Sequence, residues 1–215
     1  MKDQVSRRQI LKGVAAAGVL GGLSVPSAAF ANGDEGNRGG SRIRWDLIEL
    51  NIIGGAPELK PGGEATARAE DDSALNLTGS GTFRPGHPRQ VTGGGKWSTD
   101  NTDVGPSSGT NNTYRVTELI SWHPAPGSLP PTADDDIGNR EDARSGLAVL
   151  RIAYSDGLDG VLVVSCMLPV GSPHSMDEGF NATRNFVNFF HPDPPAAGNH
   201  SNRTSFHVLR HGDDD

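Results

Sequence analysis

Between Ser145 and Pro169 the chain reads SGLAVLRIAYSDGLDGVLVVSCMLP, two nearly uninterrupted apolar runs joined by Ser155-Asp156-Gly157-Leu158-Asp159-Gly160. The Asp-Gly steps supply the chemistry of a tight turn, and the Val, Ile and Leu content on either side favours strand over buried helix. The stretch therefore predicts a hairpin of Leu147 to Tyr154 with Val161 to Leu168. Ala148, Leu150, Ile152 and Tyr154 share one face, Leu147, Val149 and Ala153 share the other with Arg151 as its only charge, and both faces are expected to be covered. Burying a large apolar side chain contributes roughly 1.5–3 kcal/mol, while ordering each residue costs roughly 1–2 kcal/mol of backbone entropy. The hairpin breaks even at best, so it demands further sheet around it.

The rest of the chain supplies strands at short intervals. Arg42 to Ile53 alternates through Ile43, Trp45 and Leu47, then turns apolar at Ile48, Leu50, Ile52 and Ile53, a slip that predicts a bulge. Glu64 to Glu70 reads as a solvated strand. Ala74 to Phe83 and Gln90 to Thr99 carry Gly79-Ser80-Gly81 and Gly93-Gly94-Gly95, a pairing that predicts sharp curvature or close backbone approach. Thr113 to Trp122 alternates cleanly, Met176 to Phe190 reads as a turn or single helical turn and then a short strand, and Thr204 to Arg210 is a last strand. Ser175 with Glu178 has the form of a capping box. Pro124 to Arg144, rich in proline and acid, is the longest irregular stretch and predicts a functional lid or mobile flap. About eight strands with frequent Gly and Pro turns and no long helix predict an all-β fold, a single antiparallel barrel or sandwich over 42–210, with a tail at 211–215.

The first 31 residues read differently. Lys2, Arg7, Arg8 and Lys12 form a basic head, Gly13 to Val25 an apolar run too short and too rich in Gly and Ala to favour a membrane anchor, and Ala29-Phe30-Ala31 a small-residue cleavage site. Ser6-Arg7-Arg8-Gln9-Ile10-Leu11-Lys12 resembles the twin-arginine translocation motif through Arg7, Arg8 and Leu11, with Ile10 where that motif usually has Phe. The resemblance implies recognition by the twin-arginine (Tat) export machinery, folding before export, and a periplasmic or extracellular destination. Residues 32–41 read as a flexible spacer. Residues 1–31 carry a net charge of about +3, so their removal takes the formal charge from −7 to about −10. Nucleic acid and anionic membrane surfaces are poor partners for such a field, and no stable membrane insertion is expected. Cys166, the sole cysteine, reads as a small buried hydrophobe.

Catalytic signatures fail one by one. Gly93-Gly94-Gly95-Lys96 lacks the Ser or Thr of a phosphate loop, Gly79-Ser80-Gly81 lacks the third glycine of a dinucleotide fingerprint, and no nucleophile elbow exists. Asp134, Asp135 and Asp136 lack calcium-loop spacing and read as a solvated acidic loop. The seven histidines show no zinc spacing, so neither metal nor cofactor is expected, although a metal site assembled from distant strands remains an alternative. Trp97, Trp122 and His123 are the candidate ligand-binding residues, being aromatic and titratable groups at strand ends. His123 with Glu178 is the candidate catalytic pair of a barrel-mouth isomerase, cyclase or hydrolase.

In texture, GSGTF with GGGKW, TYRVTELISW and the central hairpin together resemble exported bacterial β-proteins of uncharacterised function, which carry no activity over to this chain. The expectation is a non-catalytic exported barrel or sandwich that binds a small ligand or partner, with the barrel-mouth enzyme as its alternative.

Overall fold

The computed structural model describes residues 40–104 and 112–210. The leader with Arg7, Arg8, Leu11, Ala29 and Ala31, nearly all of the spacer, the tail and part of the loop after Thr99 lie outside the described residues. Fourteen strands run through the described chain: β1 Arg42–Ile53, β2 Ala56–Pro61, β3 Glu64–Arg68, β4 Ala74–Thr78, β5 Ser80–Arg84, β6 His87–Thr99, β7 Thr113–Ala125, β8 Asp134–Asp135, β9 Ala143–Tyr154, β10 Asp159–Cys166, β11 Gly179–Arg184, β12 Val187–Phe189, β13 His191–Pro192 and β14 Gly198–Leu209. Two short 3-10 turns, Thr102–Val104 and Arg140–Asp142, complete the regular structure.

Six strands close a ring. β1 pairs with β14 and β5, β5 with β6, β6 with β7, β7 with β9, and β9 returns to β14, every step antiparallel. Closure leaves no free edge within the ring, so the architecture is a barrel and not a sandwich. Outer strands extend it. β10, β11 and β12 continue from β9, and β4 and β3 continue from β6. β13 follows β12 directly and pairs with β3, which joins the two outer extensions.

The glycine runs sit where the ring bends most. Gly81 faces Gly93 and Ser80 faces Gly94, and a Cβ at Gly95 would overlap the Thr78 carbonyl. Gly93 also has φ +100, a conformation that strongly favours glycine. The bulge expected in the first strand lies between Ile48 and Leu50.

The central hairpin pairs Leu150 with Leu162 and Ala148 with Val164. Only one of its faces is fully covered. Leu150, Ile152, Leu162 and Val164 are completely buried, whereas Val149, Val161 and Val163 are half-buried and Arg151 is exposed. Three further expectations change. β7 contains register shifts after Val116 and Leu119, so burial switches from Tyr114 and Val116 to Leu119 and leaves Ile120 exposed. The segment from Gly179 forms the hairpin β11–β12 through Asn185, φ 54, with no helical turn. Glu178 is therefore not a helix cap.

The acidic stretch 124–144 is a strap docked on the outer face of β1 and β14. Ser128 and Val170 exchange backbone hydrogen bonds of 2.9 and 3.2 Å, and Asp136 N donates to Leu59 O at 3.0 Å. Leu129, Ala133 and Ile137 are buried. Beneath the strap, Arg44 grips Asp46 through two 2.8 Å bonds, and His207 Nε2 lies 2.8 Å from Asp135 Oδ2 with both side chains 2% exposed. Burial raises the Asp46 pKa despite its Arg44 partner. Asp135 thus works as a buried latch and not as a solvated acid.

Candidate functional site

The four residues singled out by sequence do not converge. Trp97 is buried, not displayed for stacking. Its ring lies beneath the Arg184 guanidinium, 3.7 Å from the ring centroid. Trp122 is half-buried and packs on Phe83 and Phe206, with centroid distances of 5.3 and 4.6 Å. His123 is exposed and lines an open groove of about 330 Å³ with Asp177, Met176 and Asn181. Glu178 is buried and lines a different cleft.

That cleft is a mostly apolar concavity with a few polar groups on its wall. Its volume is about 270 Å³, near the lower bound for small-molecule sites. β1 supplies Ile48, Leu50 and Ile52, β2 supplies Pro57 and Leu59, and the strap supplies Leu129 and Pro130. Met167, Leu168 and Pro169, which follow β10, complete the apolar wall, while Glu178, Arg203 and Thr204 provide its polar part. The site exists because β1 changes character halfway. The face that carries Arg44 and Asp46 beneath the strap continues past Ile48 as Leu50 and Ile52, beyond the strap's cover. Ile52 is 55% exposed.

Glu178 occupies a seam. β14 pairs with β9 only through Ala143 and Arg144, and β10 takes over the same edge from Gly146, so β10 and β14 part there. Across that opening the Glu178 carboxylate accepts hydrogen bonds from Met167 N at 2.5 Å and Thr204 N at 2.8 Å. Thr204 Oγ1 donates to Ser165 O at 2.7 Å and Ser165 Oγ to Asp177 O at 2.6 Å, which stitches the same seam. Burial pushes the Glu178 pKa up to about 7, against the two backbone donors and the nearby positive charge of Arg203. A carboxyl that titrates near neutrality can move a proton, but His123 is not beside it.

Arg203 is half-buried. Among the described residues its guanidinium makes no ion pair or side-chain hydrogen bond, and its Nε is buried without a partner. The cleft therefore combines apolar walls with one cation that makes no ion pair among the described residues and one carboxyl that accepts two backbone hydrogen bonds. Sequence reasoning missed Arg203 because its significance lies in what surrounds it. The outward apolar run of Ile48, Leu50 and Ile52 was the only local signal of the cleft.

Elsewhere, Cys166 is fully enclosed and burial pushes its thiol pKa well up. Among the described residues no group of three or more His, Cys, Asp or Glu side chains is disposed to hold a metal ion. Compared with protein-family models, with curated proteins and with solved structures, the chain matches none.

Proposed function

We propose that this chain is an exported, non-catalytic β-barrel that binds a small, largely apolar ligand in the cleft between β1, β2, the strap and β14. The observation that carries the reading is a concavity of about 270 Å³ whose lining is mostly Ile, Leu, Met and Pro, with its few polar groups gathered at Glu178, Arg203 and Thr204. Export rests on the twin-arginine-like leader. The alternative enzyme requires His123 beside a carboxylate. His123 shares its open groove with Asp177 without a hydrogen bond between them, so that arrangement lends the enzyme little support.

A neutral probe tests the cleft without prejudging the ligand's head group. Titration calorimetry with octan-1-ol should show saturable binding at one site, and Leu50→Trp, which fills the cleft, should abolish it while the protein stays folded. Unsaturable uptake, or binding that ignores Leu50→Trp, would reject the reading.

A further inference from the structure

The cleft holds one charged side chain that the fold does not use. Among the described residues Arg42, Arg89 and Arg115 also make no ion pair, but they are exposed and water serves them. Arg203 instead stands opposite Ile48, half-buried among apolar side chains, with its Nε shut away from solvent. A guanidinium with its Nε enclosed gains more from meeting an anion than a fully exposed one does. The Glu178 carboxyl feels the charge of Arg203 but makes no ion pair with it, and accepts instead from the backbone of Met167 and Thr204. Glu58 and Lys60, beside the lining residues of β2, pair with each other at 3.0 Å.

We infer that the ligand is a medium-length monocarboxylate, its head group paired with Arg203 and its hydrocarbon chain lying along Ile48, Leu50, Leu59 and Met167. The assignment rests on the cleft being a binding site and adds the chemical class. A planar carboxylate matches the fork of a guanidinium, which donates two parallel hydrogen bonds. Size follows from volume. At about 270 Å³ the cleft lies at the small end of ligand sites, which limits the hydrocarbon chain to medium length, as in octanoate. Glu178, protonated below neutral pH, does not repel a neighbouring anion there.

Calorimetry of the purified protein at mildly acidic pH with octanoate, octan-1-ol and octyltrimethylammonium tests this. Octanoate should bind at least about tenfold more tightly than the alcohol, and the cation most weakly. Arg203→Gln should bring octanoate down to the alcohol's affinity and leave alcohol binding unchanged, while Arg203→Lys, which keeps a point charge, retains part of the preference. Equal affinities for octanoate and alcohol in the wild type would overturn the assignment while leaving the cleft as a binding site. So would a preference that survives Arg203→Gln, or tightest binding of the cation. If none of the three binds, the ligand-binding reading falls and the assignment with it.

Discussion

Two arginines divide this barrel into a half that is finished and a half that is not. Arg184, fully buried at the end of β11, stands over Trp97 and lies 4.6 Å from the centre of the Tyr154 ring. Both of its terminal nitrogens bond to Asp156. Although burial works against ionisation, these bonds and the Leu158 N–H hold the Asp156 carboxyl below its ordinary value. Around them Leu150, Ile152, Leu162 and Phe189 are sealed from water. Both guanidiniums leave Nε buried without a hydrogen-bond partner, but among the described residues Arg203 on β14 also makes no ion pair and stacks on no ring, and the apolar side chains about it border an open cleft. A buried charge that the fold satisfies is architecture, whereas one left waiting beside a concavity is where a ligand can contribute.

The contrast can be broken at several points. Leu162→Asp, which forces a carboxylate into the sealed half, should cost more than about 4 kcal/mol and prevent folding under ordinary conditions. Val163→Asp on the half-exposed face should cost far less, so denaturant unfolding of the pair shows which face of the hairpin is core. Arg184→Met, which leaves Asp156 without its partner, should destabilise by about 3 kcal/mol in the same assay. Arg203→Met should change stability by less than about 1 kcal/mol, since no fold contact of the guanidinium is lost. Equal losses at the two arginines would erase the distinction.

Glu178 sharpens the contrast through pH. Its folded pKa, about 7, lies above the ordinary carboxyl value of 4.5. The stability gained by keeping it protonated is therefore complete below about pH 4.5 and lost as pH rises through about 7, about 3 kcal/mol in all. Glu178→Gln should flatten this part of the stability profile, read as a smaller fall in melting temperature between mildly acidic and mildly alkaline buffer. An unchanged profile would mean that the carboxyl does not titrate in that range. A smaller effect than at Glu178 is expected at the strap, where Asp135→Asn keeps a hydrogen-bonding partner for His207 and should cost about 1–2 kcal/mol. Hydrogen exchange should locate that loss in residues 133–138. A uniform loss across the barrel would show that the strap is integral to the core.

Much of the fold was legible before any coordinates. The β9–β10 hairpin, the bulge in β1 and the close approach at Gly81 and Gly93 each depend on a local signal: β-branched runs around an Asp-Gly turn, a slip in alternation, or the absence of side chains on neighbouring strands. The errors share another cause. Glu178 reads as a helix cap because Ser175 stands three residues before it, but its partners, Met167 and Thr204, lie 11 and 26 residues away in sequence. Asp135 reads as solvated because two acids flank it, yet its partner His207 is 72 residues distant. Trp97 and Trp122 read as ligand-binding residues because both lie near strand ends, but long-range packing buries one and half-buries the other.

What the sequence by itself determined is the material: an all-β chain with its strongest strands in the middle and glycines where neighbouring strands crowd together. Periodicity and turn chemistry act over a few residues, so they can be read one residue after another. Only the tertiary structure decided that the ring closes, that β10 and β14 part over Glu178, and that Arg184 finds its aromatic faces and carboxylate while Arg203 finds none. Those outcomes depend on which distant strands share an edge, and the solvation of a charge is settled by whichever groups that pairing brings beside it.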